Sequence, residues 1–334
     1  MSNIRWFIGL DIAAETFTAA IGTTPWKLLV KGTEFANTPD GFQQLMAWMR
    51  QHHCVLEQTV LCMEATGVYG EALAYFLVAQ GYRVAMEPPL KVKRAFQTNG
   101  RKTDAVDSQQ IAEYACRYTD ELVVWQPPSE LVEQLKVLLS TREHLVQQST
   151  AHQNALKALR RKPVRTPFAE QIYEQLIGEI KSRIKAVEQE MRRLIDQHPT
   201  AHRLLLLLLT IPGVKLLLAA HILVLTHCGT RPFAASKLAA HLGIVPYEHQ
   251  SGTSVHTRPT SRHFGPSQPR KILHLAARSL STHNKRFRTY YQRKVAEGKA
   301  KKLAINNVAN KLVRIICAVM ESQTAYQANY EIST

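Results

Sequence analysis

The rhythm of apolar and polar positions changes twice along the chain. Over residues 1–125, short apolar runs alternate with segments whose apolar residues recur every three or four positions. Trp6–Leu10 is an apolar run that ends at Asp11, and Phe17-Thr18-Ala19-Ala20-Ile21 follows closely. Two such runs read as a β-hairpin at the centre of a sheet. Lys31–Ala36 reads as a third strand. Asn37-Thr38-Pro39-Asp40 starts a helix with Phe42, Leu45, Met46 and Met49 at helical spacing. Thr59–Glu64 is a short buried strand that ends in a carboxylate. Tyr69–Ala79 is a helix stopped by Gly81, and Tyr82–Met86 is a strand closed by Pro88-Pro89. This βαβ rhythm predicts an α/β layer whose sheet is partly parallel. Lys91–Lys102 reads as a basic loop holding Lys91, Lys93, Arg94, Arg101 and Lys102. Thr103 then caps a helix that runs on through Ile111, Ala112 and Ala115.

From Ser129 to Pro199 the pattern becomes purely helical. Leu131, Leu135, Leu138, Leu145, Leu156 and Leu159 mark one long helix, and Arg160–Pro167 breaks it. Ile172, Leu176, Ile180, Ile184, Val187, Met191 and Leu194 then recur at heptad-like spacing. Two long antiparallel helices, partly coiled-coil, are expected, either as a dimerisation arm or as a spacer hairpin. Further on, Leu204–Leu209 and Leu216–Leu225 are strongly apolar, but Pro212-Gly213 and Lys215 interrupt them. A membrane span needs about 20 continuous apolar residues, so two short buried helices joined by a turn are expected. Thr210–Val214 fits a helix-hairpin-helix turn that grips a phosphate, or an ordinary turn between helices. After a short helix at Phe233–Leu242, residues 247–270 are polar and read as a long functional or disordered loop. Helices resume from Arg270 and close with Asn306–Met320.

Charge narrows the partners. The 334 residues carry a formal net charge of +16, and the pI is about 9.7. A surplus that large points to a polyanionic partner, with nucleic acid or an anionic membrane as the main choices. Part of it lies at Arg270, Arg286, Arg288, Lys301 and Lys302, with Phe287, Tyr290 and Tyr291 among them. Five scattered cysteines with no CxxC pair fit a reduced cytoplasmic protein without a zinc knuckle. The N-terminus lacks the pattern of a secretory signal.

Four acids stand out against this basic background. Asp11 and Glu64 each end a strand. Asp104 and Asp107 are three apart at a helix start, so they share a face. Each has an ordinary role open to it, as a turn cap or as a partner of the helix dipole. In a sheet of the ribonuclease-H kind, however, adjacent strands bring Asp11 and Glu64 side by side and a following helix adds the other two. Four clustered carboxylates repel and need cations. Hard oxygen ligands suit Mg²⁺ or Mn²⁺, and two ions about 4 Å apart are a known device for phosphoryl transfer.

The motifs Phe7-Ile8-Gly9-Leu10-Asp11, Met63-Glu64-Ala65-Thr66-Gly67 and Lys102-Thr103-Asp104-Ala105-Val106-Asp107 resemble the DEDD motifs of transposases of the insertion-sequence 110 family. Ile211-Pro212-Gly213, Ser251-Gly252-x-Ser254 and Gly265 followed by Arg270 resemble that family's second domain. The resemblance covers nearly the whole chain. It implies a RuvC-like, RNase H-like α/β domain over 1–125, a helical coiled-coil dimerisation arm over 126–200 and a mostly α-helical transposase domain over 201–334. It also implies Mg²⁺ (or Mn²⁺) on the acidic tetrad and a nucleophilic serine, by position Ser251. The implied partners are a bridge-type guide RNA, donor and target DNA, and further copies of the chain as a dimer or a tetramer on DNA. The site can then be composite between protomers. Thr253, Ser254 and Ser261 compete with Ser251 for the nucleophile's place. Lys215 stands where the family often has a second glycine, and His263 where it often has a lysine. The competing reading is a RuvC-like metal-dependent nuclease that forms no covalent serine intermediate.

Overall fold

The computed structural model describes residues 3–65, 67–96, 103–231, 234–251, 255–261 and 265–328. The chain divides into two compact units, Met1–Pro127 and Pro128–Thr334.

The first unit is built on a mixed sheet in the order β3-β2-β1-β4-β5. Its strands are β1 (Trp6–Ile12), β2 (Thr16–Thr23), β3 (Lys27–Ala36), β4 (Thr59–Glu64) and β5 (Arg83–Glu87). The first three form an antiparallel meander. β4 runs parallel to β1, and β5 parallel to β4. A parallel pair needs a crossover. α1 (Pro39–Gln51), capped by the Thr38 hydroxyl, and α2 (Glu71–Ala79) supply the two.

Strand alternation then sorts the residues. Ile8, Leu10, Leu61 and Met63 share a buried layer with Leu45, Met49, Leu73 and Leu77 of the crossover helices. Phe7, Val60, Cys62 and Ala85 point to the opposite face, where Ile111, Tyr114 and Ala115 of α4 (Asp104–Arg117) cover them. Between β5 and α4, Lys91–Lys102 is not loop throughout, because α3 (Pro89–Ala95) takes up its first part. Pro89 in the first turn has a φ already suited to a helix and loses no hydrogen bond there.

The second unit opens with α5 (Glu130–Leu159) and α6 (Pro167–Asp196). Ser129 and Pro167 mark the two helix starts. The helices lie antiparallel. Arg142 meets Glu188 at 2.7 Å, His152 packs on Tyr173, and Arg160 reaches Glu170 beside the turn. Their ends near Leu131, Leu135, Met191 and Ile195 enter a core shared with α7 (Pro199–Leu209), α8 (Leu216–Leu225) and α9 (Ala235–His241). α10 (Ser267–His283), α11 (Lys285–Ala296) and α12 (Lys301–Ser322) complete it.

Among the described residues α12 alone has the length and apolar composition to cross a membrane. Its Val308, Ala309, Leu312, Val313 and Ile316 are fully buried in the helical core. The apolar stretches around Pro212-Gly213 are two short helices, as expected. The polar segment after residue 246 departs from the expected loop. β6 (Pro246–Ser251) and β7 (Val255–Ser261) pair there as an antiparallel hairpin. Tyr, Thr and Val at several of its positions suit a strand, although the low apolar content hides the pattern.

Candidate functional site

The site is set by one close approach between β1 and α4. A Cβ on Gly9 would fall 2.0 Å from the Ser108 carbonyl oxygen and 2.3 Å from the Ala112 nitrogen. Only glycine lets the helix backbone lie so near the strand. Two residues on, Asp11 belongs to the same face as Gly9, the face that α4 covers. The first turn of α4 extends over the neighbouring strands, where a Cβ on Gly32 of β3 would meet both Ala105 and the Thr18 methyl. Thr18 is the residue paired with Asp11 on β2.

Glu64 reaches that face from the other side. Leu10 pairs with Met63 in the parallel β1–β4 register, so Asp11 and Glu64 are one step further along adjacent strands. Cys62, two residues before Glu64, packs against α4. Burial, and then the Glu87 and Glu64 carboxylates, push its thiol well above the ordinary range. Asp104 and Asp107 occupy the first turn of α4, and the Thr103 hydroxyl accepts from the Val106 N–H to cap it. Asp104 is exposed and Asp107 half-buried. All four expected acids therefore belong to one face of one sheet or to the helix end above it. Their oxygens are the hard donors that Mg²⁺ or Mn²⁺ takes. Among the described residues, however, no three His, Cys, Asp or Glu side chains are placed so that together they could hold an ion.

A fifth acid went unnoticed in the sequence. Glu87 ends β5, pairs in register with Glu64 and is 5% exposed. Its partner is Lys91, whose Nζ lies 3.2 Å from Glu87, 3.6 Å from Glu121 and over the Tyr114 ring. The Tyr114 hydroxyl and the Glu87 carboxylate raise the Lys91 pKa. Lys91, expected to face nucleic acid, is thus engaged with two carboxylates of its own unit. The signal for Glu87 was available: like Glu64, it is an acid at the end of an apolar strand. Lys93 and Arg94 are exposed on α3, while Arg101 and Lys102 lie outside the described residues.

In the second unit Ser251 is the last residue of β6 and pairs with Val255 across the hairpin. Ser261 ends β7 opposite Pro246. Thr253, Ser254 and His263 lie outside the described residues. Arg270, in the first turns of α10, has one buried guanidinium nitrogen without a hydrogen-bond partner among the described residues. Arg288, Lys301 and Lys302 are exposed, and Arg286 donates to the Ala328 carbonyl at 2.7 Å. The turn between α7 and α8 buries Ile211 and Val214. There Gly213 has φ +83°, a left-handed conformation that suits glycine. Lys215 stands at the cap position of α8 in extended backbone.

Two family models match the chain, one for DEDD-type transposases over residues 8–161 and one for the "Transposase IS116/IS110/IS902 family" over residues 205–292. Similar proteins include the "Pilin gene-inverting protein" of Moraxella bovis and that of Moraxella lacunata. Each is 29% identical over 326 residues, covering 96% of this chain and 98% of the relative. The "Insertion element IS110 uncharacterized 43.6 kDa protein" of Streptomyces coelicolor is 30% identical over 144 residues, which are 43% of this chain and 34% of that protein. A solved structure of T. thermophilus RuvC with a Holliday junction substrate aligns at 12% identity and a TM-score of 0.29, covering 36% of this chain and 99% of the other. Both family models describe the same class, a transposase, which is an enzyme that acts on DNA. The chain belongs to the IS110 family of transposases.

Proposed function

We propose that the chain is the recombinase of an insertion element and that it cuts and rejoins donor and target DNA through a covalent serine intermediate. Its first unit is an RNase H-like, RuvC-like domain over about residues 1–125, and Asp11, Glu64, Asp104 and Asp107 are its metal ligands. The placement of Asp11 and Glu64 on adjacent parallel strands, on the face beneath the first turn of α4, carries this reading. Bound Mg²⁺ or Mn²⁺ would supply Lewis-acid stabilisation of the charge that develops on the phosphate.

The covalent step belongs to Ser251. Its Oγ attacks phosphorus, a P–O bond to the sugar breaks, and the departing sugar oxygen takes up a proton. The serine proton passes to a base. The phosphoserine link keeps the bond energy for rejoining. Arg270, one of whose guanidinium nitrogens has no partner among the described residues, suits a phosphate oxygen. Arg286, Arg288, Lys301 and Lys302, with Lys93, Arg94, Arg101 and Lys102, give contacts to nucleic-acid backbone, which position a strand without reading its sequence. Sequence choice is then left to base pairing by a bridge-type guide RNA. The α5–α6 hairpin within residues 126–200 is the arm for self-association, and residues 201–334 form the domain that carries the serine. The site is composite between protomers of a dimer or tetramer, working in the cytoplasm.

The test is denaturing electrophoresis of the protein with labelled donor DNA and guide RNA. Wild type gives a protein–DNA adduct, and Ser251→Ala removes it. The double variant Asp11→Asn with Glu64→Gln abolishes both adduct and exchange. Cleavage that survives Ser251→Ala, with no adduct in wild type, would instead identify a nuclease working through the acids alone.

A further inference from the structure

A cavity lies in the second unit, lined by neither the four acids nor the serine. It has a volume of about 780 Å³ and opens between α11, α12 and residues 324–327. That size is within the range of small-molecule sites. Arg286 and Tyr290 of α11 line it, with Asn307, Lys311 and Arg314 of α12 and Tyr326 of the segment beyond. The α12 residues recur at three- and four-residue steps, so one helix face supplies them. Ile315 adds an apolar patch to that face. No Asp or Glu is among the described lining residues.

Three features make this more than a solvated basic face. First, the cations are held in place. The Lys311 ammonium sits 4.6 Å from the centre of the Tyr290 ring. Burial, with Arg286 and Arg293 nearby, pulls its pKa below the ordinary value. Lys294, also near that ring, is neutralised by Glu297 at 2.7 Å, whereas Lys311 and Arg314 have no carboxylate partner among the described residues. Second, the wall is built. Gln323 takes a left-handed conformation at the end of α12. The chain beyond it is fixed by the Tyr326 N–H donating to the Thr210 hydroxyl at 2.9 Å, and by Arg286 donating to the Ala328 carbonyl. Third, the chemistry is mixed. Cations, two phenol rings and the carboxamides of Asn307, Asn310 and Gln327 converge on one space. The carboxamides offer both donors and acceptors.

We infer that this cavity receives one unpaired nucleotide of a nucleic-acid strand, with its phosphate on Lys311 and Arg314 and its base against Tyr290 and Tyr326. A duplex keeps its bases stacked inside and cannot present one here. A loop, bulge or frayed end can, and stacking on aromatic side chains is how such bases are held. Asn307 and Asn310 face the base edge. The inference rests on the chain acting on nucleic acid, and it adds a site that grips a splayed nucleotide apart from the reacting phosphate. The strand can be RNA or DNA, because both present the same phosphate and ring.

The test is fluorescence anisotropy on the full chain, with short labelled oligo-U, short labelled oligo-dT and a blunt duplex of matched length. The Lys311→Gln, Arg314→Gln variant should lose about tenfold or more in affinity for the single strands, the scale of one stacked base with its phosphate. Its loss on the duplex should be much smaller. A charge-matched control, Lys181→Gln with Lys185→Gln on α6, should affect single strand and duplex alike and only slightly. A greater loss on oligo-U assigns the pocket to an RNA strand, a greater loss on oligo-dT to a DNA strand, and an equal loss to either. Photocrosslinking wild type to an iodouracil oligonucleotide should label Tyr290 or Tyr326, a readout that needs no variant to fold. Equal losses on duplex and single strand, or crosslinks elsewhere only, would overturn the proposal. Because the assay needs no exchange activity, the pocket can fail while the Ser251 adduct still forms, and the reverse.

Discussion

The two units place their chemistry by different means. In the first, backbone register does it. Asp11, Glu64 and Glu87 sit at the ends of β1, β4 and β5, and two ladders of parallel pairing fix which face each carboxylate takes. In the second, the proposed nucleophile Ser251 ends the first strand of a two-stranded hairpin, while the cations proposed to meet nucleic acid are spread over three helices. A sheet tolerates no slip, because a shift of one residue would turn every acid to the other face. Helix faces tolerate exchange of one surface cation for another. The first unit should therefore fail abruptly when its packing is altered, and the second by degrees.

The sharpest break is at Gly9. Gly9→Ala puts a methyl group within 2.3 Å of two backbone atoms of α4, and backbone cannot rotate away. We expect the first unit to lose more than about 3 kcal/mol, together with all exchange activity, as read by denaturant unfolding and an exchange assay. The same substitution should leave the helical core's own unfolding transition in place. Glu87→Gln comes next. It breaks the ion pair of a nearly buried carboxylate with Lys91, and should cost the first unit about 2 kcal/mol. If denaturation shows no change, Lys91 is held by Glu121 alone.

The second unit offers a pH-dependent counterpart. His221 of α8 is mostly buried, and burial, with Arg142 nearby, depresses its pKa to about 4 from 6.5. Folding therefore favours the neutral ring. Below pH 6.5 the unfolded chain binds the extra proton and the folded chain does not, so stability falls as pH drops from 6.5 towards 4. The expected loss is about 2 kcal/mol, allowing for partial exposure. His221→Leu should flatten that slope in a pH series of unfolding curves while the first unit's curves stay as they were.

What the sequence disclosed follows the same division. Thr59–Glu64 and the Thr103 cap were legible to the residue, because a buried strand is a continuous apolar run and a capped helix begins at its hydroxyl. The acids on β1, β4 and α4 were legible as strand-end and helix-start carboxylates. Glu87 was passed over because Pro88-Pro89 read only as a stop. Lys91 was counted as a free cation because its two carboxylate partners come one from the preceding strand end and one thirty residues on. The β6–β7 hairpin was hidden because its residues are polar and the apolar alternation that marks a strand is missing. The cavity around Lys311 depends on α11, α12 and a returning segment meeting in space, which no local pattern encodes.

The central claim is that acids from β1, β4 and α4 share divalent ions. Titration of the guide-free protein with Mn²⁺, followed by electron paramagnetic resonance of the free ion, tests it most directly. Saturable Mn²⁺ binding that is lost or weakened at least about tenfold in Asp11→Asn, in Glu64→Gln and in Asp107→Asn alike is the predicted result. Binding that is unchanged in all three variants, with their folds intact, would contradict it.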